Sequence, residues 1–246
     1  MRGVFVNGNI ESLGSVNLEK SNITGNITGS SITLLNSQVN SGNVSCYYGY
    51  IKGSYVNNGT ITIVSGSDSY IKDTVVKAPQ TVDYGVSMVQ THGFNMEGQS
   101  VINNVSVKGG ITALKAAGWL KITNSSFSGV NYGVSTEASE GIDLVNVIVS
   151  GGITGITDKG GQVSISNSLI SGTTYGISFD WYDTHITVNN SIIAGGAGSV
   201  YAPPFVSNYH ALLANSQLNG NLVLDNAAEK KIVNCYDGAF NPIQNM

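Results

Sequence analysis

Arginine is almost absent from this chain of 246 residues; Arg2 is the only one. Charge of both signs is scarce, at 11% of residues, with 11 Lys and Arg against 15 Asp and Glu and a formal net charge of −4. An ordinary soluble domain carries about a quarter charged residues. With no basic footprint, nucleic acid is not an expected partner. Without arginine, bidentate recognition of carboxylates is also missing, which argues against an enzyme that processes uronates. Prolines number four and cysteines two. No stretch reaches the roughly 18 apolar residues of a membrane span. The opening MRGVFVNGNIES lacks the long apolar core of a signal peptide. What replaces charge is Gly (31 residues), Asn, Ser and Thr, the vocabulary of tight turns between short strands. The hydrophobic fraction of 41% leaves enough apolar surface for a core.

The stretch from Lys121 to Ile193 repeats itself. Asn124, Asn146, Asn167 and Asn190 each open an N-x-x-φ segment, with φ apolar, at gaps of 22, 21 and 23 residues. The column extends upstream through Asn104, Asp73, Gly53 and Asn36 and downstream to Asn215. Three residues after each anchor stand Val39, Val56, Val76, Val107, Phe127, Val149, Ile170, Ile193 and Leu218. Two residues before it stand Leu34, Ile51, Ile71, Ile102, Ile122, Leu144, Ile165, Val188 and Leu213. A period near 22 without helical spacing means one supersecondary unit stacked on itself. An alternating strand, a bend at Asn and a second strand make the corner of a coiled sheet, and the anchor amides are expected to hydrogen-bond from rung to rung. A third strand is marked by Tyr84-Gly85-Val86-Ser87, Tyr132-Gly133-Val134-Ser135 and Tyr175-Gly176-Ile177-Ser178.

The spacing therefore predicts an all-β solenoid, a single domain over 1–246 of about ten coils, each with three short strands. Residues 1–30 are expected to form an N-terminal taper or cap, 31–222 the coils and 223–246 a C-terminal cap. Cys46 and Cys235 fall about eight coils apart, beyond the reach of a disulfide at about 4.8 Å per coil. On the N-x-x-φ corner and the G-I/V-x-φ strand that follows it, the chain resembles the right-handed parallel β-helix of the pectin-lyase-like superfamily, from about residue 30 to 220. The resemblance implies an architecture rather than a reaction. It also implies that the Y-G-V-S strand belongs to the first sheet, where enzymes and glycan binders of this architecture work.

Two inserts, 87–100 and 201–211, and the rare residues His92, His185, His210, Trp119 and Trp181 all follow the first-sheet strand. Alternation places Ser135, Thr157 and Ser178 outward, and then Glu137, Lys159 and Asp180. Across two rungs, Glu137 and Asp180 lie about 9–10 Å apart, near the carboxylate spacing of about 6.5–9.5 Å of inverting glycosidases. One reading is a catalytic pair, Glu137 and Asp180, with Asp183 as a further acid. The other is a surface ladder in which Lys159 keeps both acids ionised, which is wrong for a general acid. Asp158, Asp180 and Asp183, with Lys159 or His185 as base, are the candidates for a calcium-assisted lyase, but calcium wants six to eight oxygens. Trp181 and Tyr182, with Phe205, Tyr209 and Trp119, are candidates for a sugar-stacking platform, and Lys159, His92 and His185 for further ligand contacts; the alternative is that the aromatic rings cover the end of the core or the base of the inserts. The histidines sit in separate coils, so no metal site is expected, and no cofactor. Sequons such as those at Asn104 and Asn124 coincide with anchors and read as by-products of Asn-rich turns. The expected function is a non-catalytic extracellular or cell-surface module, adhesin-like or structural, that binds a polysaccharide or surface glycan on the first sheet. The alternative is a carbohydrate-active hydrolase or lyase acting on the same face.

Overall fold

The computed structural model describes residues 1–65, 68–90, 99–181 and 183–244. Over these the chain is all-β, with 27 strands, no helix and parallel strand-to-strand pairing, wound into a parallel β-solenoid of about ten turns.

The corner is made at single residues. Asn36, Asp73, Asn104, Asn124, Asn146, Asn167, Asn190 and Asn215 have φ between 48° and 56°, and Gly53 has 61°. This is the left-handed region, which most side chains avoid and which Asn, Asp and Gly tolerate. One such residue between two extended segments turns the chain without breaking the ladder on either side. The column ends, as the apolar Ile232 two residues before it suggests, at Asn234 (φ 51°), and it begins earlier than the sequence pattern indicates, at Lys20 (φ 50°).

Either side of the corner the apolar columns run in register. Ile102, Ile122, Leu144, Ile165, Val188, Leu213 and Ile232 pair in succession, as do Val107, Phe127, Val149, Ile170, Ile193 and Leu218. All are buried. Register slip would expose both columns at once, so the pattern specifies the stacking.

The anchor amides bond along the axis as expected: Asn146 Nδ2 to Asn124 Oδ1 and Asn190 Nδ2 to Asn167 Oδ1 at 2.7 Å, and Asn104 Nδ2 to Asp73 Oδ1 at 2.8 Å. At the next rung Asn215 Nδ2 turns instead to Asn189 Oδ1, at 3.0 Å.

A second ladder lies just inside the first, on the residue after most anchors, interrupted at Val105 and Val147. Ser168 Oγ accepts the Val147 N–H at 3.1 Å and donates to the Ser166 carbonyl at 2.7 Å. Ser191 Oγ accepts the Ser168 N–H and donates to the Asn189 carbonyl. Ser216 repeats the pattern, and so do Ser37 and Ser54 in the early coils. At the last rung Cys235 takes the serine's place, its Sγ 3.5 Å from the Val233 carbonyl. Cys46 and Cys235 are free and buried, and burial pushes the Cys46 thiol up to about 12.

The early coils are narrower, with 17-residue steps through Gly8, Gly25, Gly42 and Gly59. A Cβ on Gly42 would sit 1.8 Å from the Gly25 carbonyl oxygen, so successive turns meet at backbone distance there. Asn9, Asn26 and Asn43 accept the N–H of Asn26, Asn43 and Thr60 on the neighbouring turn. Parallel pairing already begins at Phe5–Asn7 with Asn22–Thr24, and Glu229–Val233 and Tyr236–Asp237 pair back onto the coil before them.

In the central coils the expected third strand is not separate. Thr112–Thr123, Tyr132–Val145 and Thr154–Ser166 run unbroken from the first sheet into the second. Pairing is kept through the bend by register shifts and by positive-φ glycines at Gly118, Gly160 and Gly161.

Candidate functional site

Ser87, Lys115, Ser135, Thr157, Ser178 and Tyr201 face outward in register on the first sheet. The serines and threonine are nonetheless shielded, Thr157 being only 4% exposed. Ser135 and Thr157 lie in a cavity of about 250 Å³, lined also by Asp83, Tyr84, Ile111, Thr112 and Tyr132 and by Lys159 and Asp180. The Tyr of the Y-G-V-S strand supplies the walls and its Ser, or the equivalent Thr, the floor. Thr157 Oγ1 is buried and has no partner within the protein. A hydroxyl in that state is costly unless something else meets it.

The charged ladder is present, with one member the sequence reading omitted. Glu137 pairs in register with Lys159. Its Oε2 lies 2.7 Å from Lys115 Nζ and its Oε1 lies 3.6 Å from Lys159 Nζ. Burial pulls the Glu137 carboxyl up, but the hydrogen bonds and charges of the two lysines outweigh it and hold it below the usual range. The same hydrogen bond raises Lys115, which also lies 5.1 Å from the centre of the Tyr84 ring. Asp180 continues the column beyond Lys159, and its carboxylate accepts from Ser178 Oγ at 2.9 Å.

The remaining candidates are dispersed. Asp158 points into the core, fully buried, where its Oδ1 accepts from Thr136 Oγ1 at 2.5 Å and its Oδ2 lacks a partner. Burial is the main cause that pushes this carboxyl up to about 7. Asp183 is a left-handed corner whose Oδ1 accepts from Asn208 Nδ2. Asp158 feels the charge of Asp180, but it lies in the core and Asp183 is tied at a corner, and among the described residues no group of three His, Cys, Asp or Glu could hold a metal. Trp181 is exposed, at 61%. Tyr209 is fully buried, its ring 5.0 Å from that of Phe179, so it leaves the sugar-stacking platform for the core. His185 and His210 stack with ring centres 4.3 Å apart, a contact hidden from sequence reasoning by the insert between them. His92 and Tyr182 lie outside the described residues. No helix among the described residues is long and apolar enough to cross a membrane. The chain matches no family model, no curated protein and no solved structure.

Proposed function

We propose that this chain is a non-catalytic module of the right-handed, pectin-lyase-like kind, displayed outside the cell or on its surface, that holds a glycan in the first-sheet cavity. The observation that carries the reading is the unpartnered Thr157 Oγ1 at the edge of a pocket that Tyr84 and Tyr132 also line. A sugar ring offers an apolar C–H face and a rim of hydroxyls. Tyr84 and Tyr132 suit the first, and Ser135, Thr157, Lys159 and Asp180 suit the second. At about 250 Å³ the cavity suits one ring of a chain rather than a polymer laid along the sheet. The left-handed anchor column and the N-x-x-φ corner support the superfamily placement.

The enzymatic alternative rests on Glu137, Asp180 and Asp183. A general acid must hold its proton near neutral pH, whereas two lysines keep Glu137 ionised. The module is therefore preferred. A glycan array followed by calorimetry on the strongest hit tests it. Thr157→Val and Tyr132→Ala are each expected to weaken binding roughly tenfold, about 1.4 kcal/mol. No binding across the array, or binding that neither substitution alters, refutes the reading.

A further inference from the structure

On the outer face of the second sheet Gln162, His185, His210 and Glu229 stand in register on four consecutive coils. Alternation sends Ile186 and Ala211 into the core and leaves His185 exposed and His210 half-buried. The two imidazoles face each other at 4.3 Å between centres, with 27° between their planes. His210 Nδ1 lies 3.4 Å from Glu229 Oε2. A carboxylate facing Nδ1 draws the proton of the neutral ring to that nitrogen, so Nε2 keeps its lone pair. Metal-binding histidines have this arrangement, with the far nitrogen tied to a carboxylate and the near one free to coordinate.

The backbone ahead of each ring is also fixed. Asp183 and Asn208 precede His185 and His210 by two residues, both are left-handed, and Asn208 Nδ2 donates to Asp183 Oδ1. Ring nitrogens one rung apart, about 4.8 Å, can share an ion at about 2.0–2.1 Å from each once the two rings turn out of the stack to aim their in-plane lone pairs at one point. We propose that His185 and His210 chelate a divalent transition-metal ion of the zinc type, with Glu229 orienting His210. Water completes the coordination, since two imidazoles alone leave the site open. Imidazole nitrogens suit Zn²⁺, Ni²⁺ and Cu²⁺, whereas Ca²⁺ and Mg²⁺ require oxygen ligands.

Calorimetric titration of the full chain with zinc chloride at neutral pH tests this. About one equivalent should bind and raise the thermal midpoint. His185→Gln and His210→Gln should each weaken binding at least tenfold, and Glu229→Ala roughly tenfold, the scale seen when the carboxylate partner of a ligating histidine is removed. Magnesium chloride should give no heat. Three results would each overturn the proposal: no zinc binding by the parent chain, unchanged zinc binding in the His185→Gln/His210→Gln double variant, or loss of binding on His92→Gln with both single variants unaffected. His185, His210 and Glu229 are at least partly exposed, and circular dichroism checks that each variant folds.

Discussion

Ser168 satisfies two backbone groups with one hydroxyl, taking the Val147 N–H from the coil before and giving to the Ser166 carbonyl in its own. Ser168→Ala strands the buried Val147 N–H, while the Ser166 carbonyl keeps the Asn146 N–H, and urea denaturation should show a loss of about 1–3 kcal/mol. Asn146→Ala forces an ordinary side chain to hold φ 56°, at a cost of about 1–2 kcal/mol, while Asn146→Gly should recover most of that. The Asn column was legible in the sequence because a left-handed corner admits few residue types. The serine ladder beside it was not, although N-S recurs, because Ser is common in turns and its burial shows only once the coils are stacked. Lys20 was missed for the opposite reason: it is a residue type that a left-handed corner does not select. Asp158 is the sharpest case. Its carboxyl moves from the ordinary 3.8 to about 7 by burial. Below about pH 4 it is protonated in both folded and unfolded chains. As pH rises from about 4 to 7 the unfolded chain releases the proton and the folded one keeps it, so stability falls, and above about 7 the loss is complete. Asp158→Asn keeps an acceptor for Thr136 and carries no charge. It should stabilise the protein by roughly 2–4 kcal/mol at pH 8, at about 1.4 kcal/mol per pKa unit, and change little at pH 4. Equal effects at both pH values would mean that the buried carboxyl is ionised in the folded protein.

At the scale of the strand, the long segment Tyr132–Val145 carries both kinds of information that alternation encodes. Val134 in and Ser135 out followed from the sequence, and the same rule puts Thr136 in and Glu137 out, so the polar pair Thr136–Asp158 on the inner face was legible but not drawn. Lys115 was harder: it pairs in register with Ser135, and its long side chain reaches diagonally to Glu137. Glu137→Gln leaves two lysines without their shared partner. The pairs are partly exposed, so screening limits the cost to about 0.5–1 kcal/mol by thermal denaturation, with the loss shrinking in high salt. The third strand was read from its Y-G-V/I-S signature, which marks where it starts and not where it ends. The central coils show that a positive-φ glycine can bend a strand and keep it paired.

At the scale of the molecule, each coil touches mainly its neighbours, so stability sums over coils and interfaces. Removing residues 147–167, one repeat of 21 (167 − 146), joins Asn146 to Ser168 and restores the corner. That deletion should leave a folded β-protein with a modestly lower thermal midpoint. Removing half as many residues puts every later apolar column on the wrong face and should abolish cooperative unfolding. The same repetition explains why architecture is far more legible than function: the columns recur nine times in the sequence, whereas the cavity depends on single residues at Tyr84, Tyr132 and Thr157 brought together from three different coils. We propose that this cavity binds sugar without cutting it. The most direct measurement assays reducing ends and unsaturated products over a polysaccharide panel, alongside binding on the same panel. Binding without product, weakened by Thr157→Val, is the predicted result. Product formed by the parent chain and abolished by Glu137→Gln or Asp180→Asn would contradict it.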